Sequence, residues 1–157
     1  MNRYTKIVAL LLTAVSMSIA CTSAPKFSDV QNKDWNLVEV RVKPENITFD
    51  RNKLVEEGFK DIFSLRFDKE RVSGVGAPNH YFAPYTLIDN KQGISIKTIA
   101  QSQMAPLREP EKLKEQNFFA YLQNTIKWNL AGGNLELYST EEDGTGVVLV
   151  FVPASSR

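Results

Sequence analysis

A chain of 157 residues has room for one domain, and 19 Lys and Arg against 18 Asp and Glu leave no basic stripe for phosphate contacts, so no nucleic-acid partner is expected. One His and one Cys do not supply the converging ligands of a zinc centre, and a lone Cys forms no internal disulfide. No G-x-S-x-G elbow surrounds any serine, so the expectation is a protein that is not an enzyme and carries no metal or cofactor.

The chain opens with Arg3 and Lys6, followed by the uncharged run "IVALLLTAVSMSIA" over 7–20. Fourteen residues are too few to span a bilayer and suit a signal-peptide core, so 1–20 are set aside as a signal peptide. "SIAC" at 18–21 resembles the lipobox of bacterial lipoproteins, with Ser18 where Leu is usual. That resemblance implies lipidation of the Cys21 thiol, cleavage before it and acylation of the new N-terminus by a palmitate-like chain. Ser18 and Ala20 also fit ordinary secretory cleavage, which stays open. Without Arg3 and Lys6, 17 basic residues face 18 acidic ones across 137 residues. Residues 21–33 are polar and read as a tether, with the domain over 34–153.

Val38, Val40 and Val42 alternate with Glu39, Arg41 and Lys43, which predicts a half-buried strand that Pro44 ends. "ENITF" is a second short strand, and Asp50 caps a short helix that stops near Gly58. Phe63, Leu65 and Phe67 share one face of the next strand, and "DKERVSG" turns into its return. "DNKQG" is a turn before the strand "ISIKTI". One long helix is predicted over roughly 110–126, opened by Pro110 and burying Phe118, Phe119, Leu122 and Ile126 on one face. "AGG" joins two strands in a tight hairpin, and the unalternating "VVLVFV" reads as a central strand covered on both faces. The fold class is α+β, a mostly antiparallel β-sheet packed against one main α-helix.

The stretch "GVGAPNHYFAPYTL", 74–87, concentrates the chain's only histidine, three aromatics and two prolines. Asn79, His80, Tyr81, Phe82 and Tyr85 are the candidate binding residues, because flat rings stack on sugars or apolar side chains. The competing expectation is a structural corner. Gly74 and Gly76 would then permit unusual backbone angles, Asn79 would hold a turn, and Tyr81 and Tyr85 would pack inward with their hydroxyls on polar partners. Trp35 and Trp128 are expected in the core.

These segments together resemble the META (HslJ-like) family over roughly 35–153. Trp35-Asn36-Leu37 matches an early W-x-L, and Val72-Ser73-Gly74 a strand ending in VSG. Gly76 to Tyr85 stands at the family's Gly-Cys-Asn and Y-x-x-Y segment, and Met104-Ala105-Pro106 at its Met-Ala-Cys loop. Glu115 to Leu122 matches E-x-x-F-x-x-x-L, and Leu135-Glu136-Leu137 the final L-x-L. Prolines, Pro78 and Pro106, stand where many members carry cysteines, so no redox role carries over. A bridge between those cysteines in relatives implies that Pro78 and Pro106 are neighbours here.

The resemblance implies a small α+β domain, common in bacterial envelope lipoproteins and linked to stress responses, without a catalytic mechanism. The expected protein is thus anchored to the cell envelope by lipid, with a structural or stress-related role. Thr22 after Cys21 gives no acidic retention signal, which points to the outer membrane, with the domain in the periplasm or at the cell surface. The alternative is a binding module holding a peptide, a glycan or a partner protein through 76–85.

Overall fold

The structure is a computed structural model that describes residues 24–88, 92–105, 108 and 110–154. The expected signal peptide and Cys21 lie outside the described residues, as do part of the 89–93 turn and Pro106.

Among the described residues, ten antiparallel strands make one sheet. They are β1 (Asp34–Arg41), β2 (Ile47–Thr48), β3 (Ser64–Phe67), β4 (Arg71–Val75), β5 (His80–Ile88), β6 (Gly93–Ile96), β7 (Ala100–Gln101), β8 (Lys127–Ala131), β9 (Asn134–Thr140) and β10 (Gly146–Pro153). The described residues also form the helices α1 (Arg51–Glu56) and the longer α2 (Glu115–Gln123). The mostly antiparallel sheet with few helices matches the expected class. Its closure was not expected. β10 pairs with β9 on one side and with β1 on the other, so β1, β10, β9, β8, β6, β5, β4 and β3 form a ring. β2 and β7 extend β1 and β5 outside that ring. The sheet therefore packs on itself, with α2 as its plug rather than its second layer.

Closure explains the burial pattern. Along β5, Tyr81, Ala83 and Tyr85 face in, while His80, Phe82 and Pro84 face out. Val147, Leu149 and Phe151 of β10 point inward and are essentially fully buried. Outside, Val150 is buried while Val148 and Val152 are half-buried, so the outer face of β10 is covered only in part, unlike the expected strand covered on both faces. Arg41 of β1 donates to the Glu136 carboxylate of β9 at 2.9 Å, and the pair bridges the outer face of the intervening β10. Tyr138 adds its hydroxyl to the same carboxylate at 2.7 Å.

Four local expectations need correction. In β1 the inward residues are Trp35, Leu37 and Val40, not the valine row, because a bulge between Leu37 and Glu39 shifts the register on β10. The long helix starts at Glu115 rather than Pro110, since buried Pro110 and Leu113 lie in a non-helical approach. It ends at Gln123, with Asn124 as its C-cap, and Ile126 lies beyond it, 64% exposed, with its N–H paired to the Tyr138 carbonyl. The tether is shorter than residues 21–33. Phe27 opens a 3-10 turn (Phe27–Asp29), and it and Val30 belong to the core.

Both ends of the barrel are filled. At one end, α2 brings Phe118 within 5.1 Å of Phe63 and Phe119 within 5.2 Å of Tyr81. At the other end, the Phe27 ring sits 5.2 Å from Phe67, 5.4 Å from Tyr85 and 5.1 Å from Trp128. The expected start of α1 is observed, with Asp50 accepting from the N–H groups of Asn52 and Lys53. The "AGG" hairpin is also as expected, with Gly132 and Gly133 both at positive φ.

Leu122→Ala is expected to lower stability by about 2–5 kcal/mol, whereas Ile126→Ala should change little, both read by chemical denaturation. A chain beginning at Asp34 should melt well below one beginning at Ala24, because it lacks the Phe27 plug. Equal melting temperatures would return residues 27–33 to the tether.

Candidate functional site

The corner between β4 and β5 holds the residues singled out from the sequence, and it is built around a carboxylate. Glu115 Oε1 accepts from the N–H groups of Ala77 at 2.5 Å and Asn79 at 2.7 Å. Its Oε2 accepts from Asn79 Nδ2 at 2.6 Å. The other side of the Asn79 amide reaches a third segment. Asn79 Oδ1 accepts from Ser102 Oγ at 2.9 Å and from the Met104 N–H at 2.7 Å. One buried amide thus joins the first turn of α2, the β4–β5 corner and the 102–104 loop. Pro78 follows a cis peptide within this corner. Pro106 lies outside the described residues, but Met104, two positions earlier, is bonded to the residue after Pro78.

The glycines act differently from the expectation. Neither Gly74 nor Gly76 has positive φ. A Cβ on Gly74 would stand 2.0 Å from the Ser64 carbonyl oxygen, so the side chain is absent to let β3 approach. A Cβ on Gly76 would meet Glu115 Oε1 at 2.5 Å and the Phe119 ring at 2.6 Å. The corner's glycine is therefore the counterpart of the helix's glutamate.

The five candidate binding residues separate into two groups. Asn79, Tyr81 and Tyr85 are buried. Tyr81 donates to the Ser64 carbonyl at 2.9 Å, and Tyr85 to the Asp68 carbonyl at 2.6 Å. Burial pushes the Tyr81 phenol far above its ordinary range. Burial also raises that of Tyr85, opposed by the hydrogen bond from Gln31. Both hydroxyls thus stay protonated and donate. His80 and Phe82 face outward, so β5 does not present its aromatics to one groove. His80 donates its backbone N–H to Ser102 Oγ at 3.2 Å, and that hydroxyl is already committed to Asn79. Among the described residues no cluster of three or more His, Cys, Asp or Glu is placed to hold a metal.

The described residues also leave open surfaces. A groove of about 1090 Å³ runs over the outer face of β1, β3 and β4, with Ser64, Ser73 and Gly74 along it and Arg51 and Arg66 among its charged residues. It adjoins a smaller hollow of about 480 Å³ that shares Ser73 to Val75 and ends at His80 and Phe82. Phe82 is half-exposed beneath the Arg71 guanidinium, 5.8 Å from its ring centre. A separate cleft of about 360 Å³ lies between α1 and the 108–112 segment, where Arg108 covers Phe59 and donates to the Glu57 carbonyl.

The role of Glu115 was not legible from its position. The available signal was its place in the E-x-x-F-x-x-x-L segment, opposite a glycine-rich corner. Ser102 carried no signal at all. Glu115→Ala removes three charge-assisted bonds, each of which costs roughly 1.5–3 kcal/mol when lost singly. Glu115→Gln keeps one acceptor oxygen but sets an amide N–H₂ against the Asn79 donor. Stability is expected to fall in the order wild type, Glu115→Gln, Glu115→Ala. An alanine variant as stable as wild type in urea would show that the corner holds itself.

A family model described as the META domain matches residues 28–156. A solved NMR structure of a protein from Burkholderia xenovorans is 13% identical with a TM-score of 0.60, covering 99% of this chain and 100% of that one. A crystal structure of a duf4847 family protein from Bacteroides vulgatus ATCC 8482 is 13% identical with a TM-score of 0.54, covering 83% of this chain and 99% of that one. At such identity the likeness carries the fold alone. Among curated proteins nothing matches. The family match begins at residue 28, beside the Phe27 plug, and spans the barrel, both helices and the Glu115 corner: the chain belongs to the META domain family.

Proposed function

We propose that this META domain is carried by a bacterial lipoprotein, anchored to the cell envelope through Cys21, and that its role there is structural or stress-related rather than enzymatic. The observation that carries the proposal is the use made of the chemically capable residues at 76–85. Asn79, Tyr81 and Tyr85 direct their polar atoms to Glu115, Met104 and backbone carbonyls. They stabilise the barrel and its plug instead of converging on a ligand. The "IVALLLTAVSMSIAC" segment supplies the export signal and the acceptor thiol. The outer membrane is the proposed destination, since Thr22 follows the cysteine where an acidic retention residue would otherwise stand.

A second possibility has a specific observation in its favour. Phe82, half-exposed beneath Arg71, ends a polar groove on the outer face of β3–β5. Such a ring beside polar backbone suits a glycan or an extended peptide. This moves the binding surface from the loop 76–85 as a whole to its outward residues.

Detergent phase separation with mass spectrometry tests the anchor. Wild-type protein should enter the detergent phase with a diacylglyceryl-modified, acylated Cys21, and Cys21→Ser should stay in the aqueous phase. Unlipidated wild type in the aqueous phase would overturn the lipoprotein proposal. His80→Ala with Ser102→Ala should leave envelope-stress survival unchanged, provided the variant accumulates normally. Loss of survival from a stable, correctly located variant would instead favour chemistry or binding at this face.

A further inference from the structure

We propose that the pole of the barrel closed by Phe27 lies against the membrane, with Leu87 and Ile88 in the lipid headgroup region. This deepens the lipid-anchor proposal and rests on it. Phe27 is a fixed point, buried and in ring contact with Phe67, Tyr85 and Trp128. Only residues 22–26 separate it from Cys21. Six Cα steps span at most about 20 Å when fully extended. β5 alone has nine residues, a length of roughly 30 Å. The link is therefore shorter than the barrel wall, and it favours the pole at which the chain enters.

The surface of that pole suits the contact. Leu87 and Ile88 continue β5 past Tyr85, and they are 48% and 51% exposed. The hairpin they enter is held to the β8–β9 hairpin by two bonds. Gln92 Nε2 donates to Asn129 Oδ1 at 3.1 Å, and the Trp128 N–H donates to the Gln92 carbonyl at 2.9 Å. The neighbouring tip is Ala131-Gly132-Gly133, without charge. Between Ile88 and Gln92 the sequence Asp-Asn-Lys contributes one charge of each sign. The opposite pole bears the β9–β10 turn, with Glu141, Glu142 and Asp143 in succession. Anionic headgroups would repel that turn. The β3–β4 segment at this pole adds Asp68, Lys69, Glu70 and Arg71, two charges of each sign. Chain length and apolar exposure select this pole, and the occupant they select is the bilayer surface that holds the anchor.

Tryptophan quenching by lipids brominated near the headgroup tests the orientation. The lipidated protein is reconstituted in vesicles, with the native Trp35 and Trp128 buried as a constant background. Ile88→Trp should add emission that brominated lipid removes, and Glu142→Trp should add emission that it does not. The comparison is repeated with the chain from Cys21 onward coupled through that thiol to maleimide lipids. Absence of the native lipid by mass spectrometry refutes the anchor, whereas the coupled sample still tests the pole. Equal quenching at 88 and 142 overturns the proposed orientation, as does quenching confined to 142. An unquenched Ile88→Trp would assign Leu87 and Ile88 to a protein contact instead.

Discussion

The pairing of β1 with β10 is the constraint on which the rest of the molecule depends. It joins the first strand of the domain to its last and turns an antiparallel sheet into a ring. Without it, both strands would present open edges of unpaired N–H and C=O groups. With it, every ring strand has an inside and an outside, and inward side chains share one core. The bulge in β1 belongs to this closure. It lets Trp35, Leu37 and Val40 all face inward although their spacing breaks a strict period of two.

A closed ring still has two open ends, and the chain fills them in different ways. At the N-terminal pole one aromatic ring, Phe27, enters among three others. At the far pole a helix does the filling, and a helix needs orienting. Glu115 provides that orientation by taking N–H groups from the β4–β5 corner, while Gly76 leaves room for it. Nearby, Phe63 holds a positive φ of 51, a conformation that costs a bulky residue roughly 1–3 kcal/mol. Its ring contacts to Phe49 and Phe118 and its backbone bonds to Leu37 and Gly76 keep it there.

These structural demands shape the functional surface. Residues of the 76–85 stretch serve the interior wherever the strand turns them inward, which leaves only the outward half exposed. Phe82 and His80 border a groove whose residues come from β1, β3, β4, α1 and the end of β10. The N-terminal plug has a second consequence. By drawing residues 27–33 into the fold it shortens the stretch between Cys21 and the folded domain.

The sequence by itself determined the elements whose cause is local. Asp50 capping α1, the glycine pair of the β8–β9 hairpin and the shared face of Leu65 and Phe67 follow from capping, turn and alternation rules, whereas for Tyr81 and Tyr85 the residues alone left inward packing and ligand binding both open. The ordered set of short motifs also carried the family. Closure of the barrel, the bulge in β1, the late start of α2 and the capture of Phe27 were decided only by tertiary structure. So was the candidate site: Asn79 stood out as a polar residue in a turn, but its partners Ser102, Met104 and Glu115 lie 23 to 36 positions away. Local periodicity reports which way a side chain faces relative to its own strand. It does not report which distant segment will meet it, because that depends on packing the whole chain around one core.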